Sequence, residues 1–178
     1  MLRTAILIGW VVFWAYWLIS AAGAKRGTRP RRARIPGLFF VILGFLLLRT
    51  FSTGSLAVHS PLVRAVGAIL FVSGVGLAVW ARVHLGRNWG MPMTKKDEPE
   101  LVTSGPYRFV RHPIYSGILL AVLGTALATD LYLLIVLGAM GAYFLHSARA
   151  EERLMTEAFP AAYPIYKAST KMLIPFVL

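Results

Sequence analysis

An apolar run without a single charged residue opens the sequence and restricts the fold more than any other feature. Residues 4–23 contain no acidic or basic side chain, and about 20 apolar residues are what an α-helix needs to cross a bilayer. Further apolar stretches follow at residues 35–51, 61–85, 114–128 and 131–146. With 57% hydrophobic and only 15% charged residues, the chain is predicted to be an all-α, polytopic membrane bundle of about five transmembrane helices.

Basic residues predict the orientation of this bundle. The chain has 19 Lys and Arg against 7 Asp and Glu, and the cations concentrate in residues 25–34 and 86–111. Short basic loops stay in the cytoplasm, which places the N-terminus outside and the catalytic loops and C-terminus inside. Arg64 and Arg82 are expected to bracket the third span. A cleaved signal peptide is less favoured, since only Arg3 precedes the first apolar run.

Several classes of function lack support in the sequence. There is no cysteine, so a thiolate metal site and a cysteine nucleophile are excluded, and the histidines show no metal-ligand spacing. No metal is therefore assigned. The cations flank predicted spans and form no patch on a soluble domain, so nucleic acid is not an expected partner. Residues 1–178 are predicted to form one membrane domain, and the sequence carries no signal for an oligomeric state.

The richest polar motif is GPYRFVRHPIYSG, residues 105–117. Pro113 suits the first position of a helix, so the backbone N–H groups of residues 114–116 are expected to attract a carboxylate or phosphate. His112 could cap the helix or bind a ligand, Tyr115 could lie against a purine, and Gly117 permits the close approach of a bulky group. The alternative is a plain helix start with interfacial aromatic and basic residues.

Two adjacent acids, Glu151 and Glu152, follow the fifth apolar stretch. They could hold an ammonium or sulfonium group or accept hydrogen bonds from ribose hydroxyls. Neighbouring positions differ by about 100° around a helix, so only one of them is expected to face inward. The alternative is a solvated helix end in which the acids pair with Arg149 or Arg153.

Gly74 and Gly76 form a third cluster, within the third span. Small residues in membrane helices usually allow neighbouring helices to pack closely, and this interpretation is favoured. A cofactor that crosses the same groove is the alternative.

The ordered pattern of GPYRFVRHPIYSG, the EE pair and FPAAYPIYK resembles the isoprenylcysteine carboxyl methyltransferase family and the related phospholipid methyltransferases. It covers about residues 86–175. The resemblance implies a small membrane enzyme whose S-adenosylmethionine pocket is closed by the loop before the fourth span, the final hairpin and the C-terminal segment. The candidate cofactor-binding residues are Tyr107, His112, Pro113, Tyr115, Gly117, Glu152, Gly74 and Gly76. The candidate catalytic residues are Arg111, Arg149, Glu151 and Glu152.

The expected reaction is methyl transfer from S-adenosylmethionine to a lipidic carboxylate, such as a prenylated cysteine or a fatty acid, at the cytoplasmic face. A carboxylate acceptor needs a cation to orient it, for which Arg108, Arg111, Arg149 and Arg153 are candidates. An amine acceptor needs a base, for which Glu151, Glu152 or His112 could serve. Methylation of a phospholipid amine, of another lipophilic acceptor such as a thiol, and a non-catalytic membrane scaffold stay open as alternatives.

Overall fold

The computed structural model describes residues 1–21, 27–28, 56–89, 95–96 and 100–174. Within these residues the chain forms five α-helices, two 3₁₀ turns and one short strand pair. The helices are α1 (Leu2–Ala21), α2 (Pro61–Leu85), α3 (Pro113–Ala128), α4 (Leu133–Ala158) and α5 (Ala162–Ser169). The 3₁₀ turns are Gly86–Asn88 and Gly105–Arg108, and strands β1 (Gly27–Thr28) and β2 (Lys95–Lys96) pair antiparallel.

The predicted all-α membrane bundle is confirmed. Helices α1, α2 and α4 are long and apolar enough to cross a membrane, and α3 is a shorter apolar helix of 16 residues. Helices α1, α2, α3 and α4 correspond to the first, third, fourth and fifth predicted spans. The predicted second span, residues 35–51, lies outside the described residues, as does most of the basic loop at residues 25–34.

Large apolar side chains cover the outer surface of α1 and α2. Leu18 and Ile19 on α1, and Leu62 and Ile69 on α2, are largely exposed. An extended exposed apolar surface is unusual on a water-soluble monomer. These side chains therefore fit contact with lipid.

Helices α2 and α3 are antiparallel and touch along their backbones. A Cβ atom on Gly74 would lie 2.4 Å from the backbone nitrogen of Ala121, and one on Gly124 would lie 2.3 Å from that of Phe71. Both distances are too short for any side chain, so glycine is required for the two helices to approach this closely. By contrast, a Cβ on Gly76 would meet nothing within 4 Å.

The termini of these helices follow from local sequence. Pro61 occupies the first turn of α2, Ser60 caps it by accepting a hydrogen bond from the N–H of Val63, and Gly86 ends it with a φ of 54°. A short turn joins α3 to the antiparallel α4. The C-terminal end of α2, the N-terminal end of α3 and the C-terminal half of α4 therefore lie together, and we call this region the site end.

The two glycines of α2 provide a matched test of the close packing. Gly74→Ala should destabilise the protein by about 2 kcal/mol, because the added methyl group must separate α2 from α3. Gly76→Ala should leave the stability unchanged or raise it by about 0.5 kcal/mol, since alanine is the better helix former. Thermal unfolding of both variants in the same detergent measures the difference, and equal stabilities would contradict the packing contact.

Candidate active site

A buried carboxylate, Glu152, forms the centre of the site end. The residue is 3% exposed, and its Oε1 accepts a hydrogen bond of 2.6 Å from Nε of Arg111. Its Oε2 lies 2.7 Å from Nζ of Lys167, which belongs to α5. Three segments that are distant in sequence therefore meet at one carboxylate. We call Arg111, Glu152 and Lys167 the ion cluster.

Arg111 also holds the C-terminal segment in place. Its Nη1 donates hydrogen bonds to the backbone carbonyls of Lys167 and Thr170, and its side chain is only 7% exposed. Guanidinium groups bonded to a carboxylate and to carbonyls at the same time fix the geometry of several segments. Arg111 is thus engaged with protein groups on more than one side, and its predicted role in catalysis stays a prediction.

His112 lies between the two acids. Its Nδ1 is 3.5 Å from Oε2 of Glu151 and its Nε2 is 3.8 Å from Oε1 of Glu152. The expectation that only one acid faces inward is therefore wrong, because two flexible side chains span the angle between neighbouring helix positions and approach the same ring. The Nε2 atom is buried and has no hydrogen-bond partner.

The environment of His112 favours its charged form. Burial by itself lowers the pKa of His112, but the carboxylates of Glu151 and Glu152 beside the ring outweigh burial and raise the pKa above its ordinary value. The imidazole at the start of α3 makes no capping hydrogen bond. His112 therefore acts with the acids, and the alternative of a capping side chain is not realised.

Aromatic rings line the site beside His112. The imidazole stacks on Tyr115 with centroids 5.4 Å apart, and Tyr115 stacks on Phe144 of α4 at 4.5 Å. The Tyr115 hydroxyl donates a hydrogen bond of 2.5 Å to Oε1 of Glu151. Flat stacked rings next to a carboxylate provide an apolar wall with a polar edge.

Tyr107 and Tyr166 connect the loop before α3 to α5. The Tyr166 hydroxyl donates a hydrogen bond of 2.6 Å to the backbone carbonyl of Tyr107, and the Tyr107 hydroxyl lies 3.4 Å from the carbonyl of Ala81. Burial raises the pKa of Tyr107 and raises that of Tyr166 to about 12. Both phenols therefore stay neutral donors at physiological pH.

The C-terminal segment covers the start of α3. The backbone N–H of Arg111 donates to the carbonyl of Lys171 at 2.8 Å, and that of His112 donates to the carbonyl of Met172 at 3.0 Å. The N–H of Ser116 is bonded to the carbonyl of His112. The expectation that the Ser116 N–H is available to an anion is therefore wrong, because the first complete helical hydrogen bond already uses it.

The structure brings most of the predicted site residues together. Those at the ion cluster or directly beside it are Tyr107, Arg111, His112, Pro113, Tyr115, Glu151 and Glu152. Gly117 packs on the backbone of α2 instead, where a Cβ would lie 2.7 Å from the nitrogen of Ala78. Gly74 lies in the same contact between helices, and Gly76 and Arg149 are exposed. Direct cofactor contact by Gly74, Gly76 and Gly117 and catalysis by Arg149 stay predictions.

Two residues of the site end were not singled out from the sequence. Lys167 is the last residue of the FPAAYPIYK motif, so the motif marked its region without indicating that its ammonium group pairs with Glu152. Phe144 is one of many apolar residues in α4, and only its stacking on Tyr115 distinguishes it.

The sequence model for phospholipid methyltransferases matches residues 62–162, more than half of the chain and most of the site end. The chain belongs to this family. The resemblance drawn from the RHPIY and EE motifs is thereby confirmed.

Three relatives with established names match parts of this chain. The chain is 34% identical to the cobalt-zinc-cadmium resistance protein CzcN of Cupriavidus metallidurans, over 57% of this chain and 44% of the relative. It is 29% identical to the protein-S-isoprenylcysteine O-methyltransferase of Saccharomyces cerevisiae, over 69% of this chain and 53% of the relative. It is 39% identical to the methanethiol S-methyltransferase of Mycobacterium tuberculosis, over 39% of this chain and 28% of the relative. The matches thus span about half or less of each relative.

Removal of the central carboxylate should disrupt the site end. Glu152→Gln leaves the buried Arg111 without its charged partner, and we expect a loss of about 3 kcal/mol in the free energy of unfolding. Glu157→Gln, at an exposed position of the same helix, should change it by less than about 0.5 kcal/mol. Chemical unfolding in lipid nanodiscs measures the free energy of unfolding of both variants. An unchanged value for Glu152→Gln would contradict the stabilising role of this carboxylate.

The raised pKa of His112 predicts the direction of a pH effect. A group whose pKa is higher in the folded state contributes stability that is fully present below its unfolded pKa of about 6.5 and is lost as pH rises through the folded value. The unfolding temperature should therefore decrease as pH rises above neutrality. His112→Gln should flatten this dependence, whereas His59→Gln, at an exposed residue of the opposite end, should preserve it.

Proposed function

We propose that the protein is an S-adenosylmethionine-dependent methyltransferase that acts on a lipidic carboxylate. The observation that carries this proposal is the unequal environment of the two acids. Glu152 is enclosed by Arg111 and Lys167, whereas the Glu151 side chain, at 24% exposed, borders His112 and Tyr115. Glu152 therefore supports the architecture, and Glu151 is positioned to contact a ligand.

The residues present fit the chemical groups of S-adenosylmethionine. Its amino group and ribose hydroxyls are hydrogen-bond donors, which the carboxylate of Glu151 can accept. Its adenine is a flat ring that can pack against the outer edge of the stack formed by His112, Tyr115 and Phe144, in which both faces of Tyr115 are already covered. The buried Nε2 of His112 makes no hydrogen bond and has its acidic neighbour, Oε1 of Glu152, at 3.8 Å, so it can supply one more hydrogen-bonding group.

When bound, S-adenosylmethionine would supply an electrophilic methyl group to a carboxylate oxygen. The new carbon–oxygen bond forms as the carbon–sulfur bond breaks, the electron pair stays on sulfur, and no proton is transferred. The protein then has to hold two reactants in line, and positioning alone can supply much of such a rate enhancement. The ion cluster around Glu152 fixes the walls of the site, since it joins the start of α3 to α4 and α5.

A second class of acceptor is supported by the neighbourhood of Glu151. An amine or thiol must lose a proton before it attacks a methyl group, and Glu151 beside His112 could accept that proton. The names of two relatives point to different acceptors, O-methylation in the yeast protein and S-methylation in the mycobacterial one. A phospholipid amine or a small thiol is accordingly the alternative to a carboxylate.

The position of the site in the membrane determines how the donor and the acceptor would reach it. We place the site end at the cytoplasmic face, because basic loops favour that side. The water-soluble donor then arrives from the cytoplasm, and the lipophilic acceptor arrives sideways from the bilayer.

A measurement of cofactor binding tests the proposed function most directly. Calorimetry on protein in nanodiscs should show binding of S-adenosylmethionine and of its demethylated product. Glu151→Gln should weaken this binding about tenfold, because it removes the charge from a hydrogen-bonded contact. Glu157→Gln is the control on the same helix and should change the affinity by less than about twofold.

The outcomes separate the proposed functions. Binding that Glu151→Gln weakens supports the methyltransferase and justifies a panel of acceptors. Absence of binding by a folded wild-type sample would refute it and favour a non-catalytic membrane scaffold.

A further inference from the structure

Arg82, near the C-terminal end of α2, is a buried cation that the proposed site has not used. The residue is 4% exposed. Its Nη1 donates to the carbonyl of Gly86 at 2.8 Å and its Nη2 to the carbonyl of Ser20 at 2.5 Å. Its Nε is buried without a hydrogen-bond partner, and no described carboxylate forms an ion pair with it.

This environment is unfavourable for an arginine. The guanidinium group stays protonated in proteins, and a buried charge is costly unless an opposite charge balances it. Carbonyl oxygens accept its hydrogen bonds but carry no net charge. An anion that reached Nε would satisfy the unpartnered donor and balance the charge in one contact, and the planar fork of arginine suits a carboxylate.

Buried aromatic side chains pack between α1 and Arg82. Phe13 packs on Trp17 with centroids 5.0 Å apart, and Trp17 meets the ring of Trp89 edge-on at 5.7 Å. The Arg82 guanidinium lies over that same Trp89 ring at 4.6 Å. The helix that carries Phe13 and Trp17 also exposes apolar side chains on its outer surface. An acceptor with an apolar chain could keep that chain against the exposed side chains of α1 and bring an anionic head towards Arg82.

Tyr107 connects Arg82 to the ion cluster. Its hydroxyl lies 3.4 Å from the carbonyl of Ala81, the residue before Arg82, and its backbone carbonyl accepts the hydroxyl of Tyr166. Tyr107 also lies within electrostatic reach of both Arg82 and Glu151, which change its pKa in opposite directions. Arg82 and Glu151 are therefore both close enough to one buried tyrosine to influence its ionisation.

We propose that Arg82 binds the carboxylate head of the methyl acceptor while the apolar chain of the acceptor lies in the bilayer against the exposed side chains of α1. This inference rests on the proposed function and deepens it by assigning the acceptor as an amphiphile with a carboxylate head. Arg111, one of the four cations expected from the sequence as candidates to orient such a carboxylate, is instead held by Glu152. A positively charged amine would be repelled by Arg82, so this site disfavours a phospholipid amine.

Three acceptors with the same chain test the assignment: hexadecanoate, hexadecylamine and hexadecanethiol. In nanodiscs with S-adenosylmethionine, the wild type should methylate hexadecanoate in preference to the other two. Arg82→Gln should raise the KM for hexadecanoate about 30-fold, since a charge-assisted contact to the head group is lost. Its affinity for S-adenosylmethionine should stay within about threefold of the wild-type value.

Arg64→Gln is the matched control, because it removes the same side chain from the opposite end of the same helix. It should leave the KM for hexadecanoate within about twofold of wild type. If Arg82→Gln no longer binds S-adenosylmethionine, Arg82→Lys replaces it, since lysine keeps the charge and can still reach a carbonyl. Loss of the Nε donor should then raise the KM at least about fivefold.

Two results would overturn the inference while leaving the methyltransferase intact. One is transfer to hexadecylamine or hexadecanethiol in preference to hexadecanoate. The other is an unchanged KM for hexadecanoate in an Arg82 variant that still binds S-adenosylmethionine, which would leave Arg82 as a clamp between α1 and the turn after α2. Failure of the wild type to bind S-adenosylmethionine would instead refute the proposed function itself.

Discussion

The backbone contact between α2 and α3 is the constraint on which the site end depends. Because Gly74 and Gly124 leave no room for a side chain between these helices, the end of α2 and the start of α3 are held at a fixed separation. Tyr107, in the loop just before α3, can then reach the carbonyl of Ala81 on α2. In a bilayer there is no hydrophobic force between helices, so close packing of this kind must supply their association.

The ion cluster performs the corresponding task for the C-terminal part of the chain. Helix α5 has only eight residues and is too short to be stable alone, so its position depends on tertiary contacts. Glu152 supplies one through Lys167, and Arg111 supplies others through the carbonyls of Lys167 and Thr170. Charged groups far apart in sequence are thereby used to close one end of an otherwise apolar bundle.

The sequence predicted the features that depend on local pattern. Hydropathy and Pro61 located α2 at the residues where the structure has it. The family resemblance carried by the RHPIY and EE motifs implied that their side chains share a site. Features set by tertiary contacts were missed. Both Glu151 and Glu152 face His112, and Arg82 was expected at the membrane boundary but is buried under Trp89. A sequence pattern shows periodicity and charge, but it does not show which residues a long side chain will contact in the folded protein.

The charges at the site end divide into two groups with different consequences. Arg111 and Lys167 are both paired with the carboxylate of Glu152, so both oxygens of that carboxylate are already engaged by protein groups. Glu151 is partly exposed, Arg82 is buried without an ion pair to any described carboxylate, and the two carry opposite charges near Tyr107. In the proposed function, the cationic donor is attracted by Glu151 and the anionic acceptor by Arg82. The two charges of the protein then help to orient the acceptor oxygen towards the methyl group.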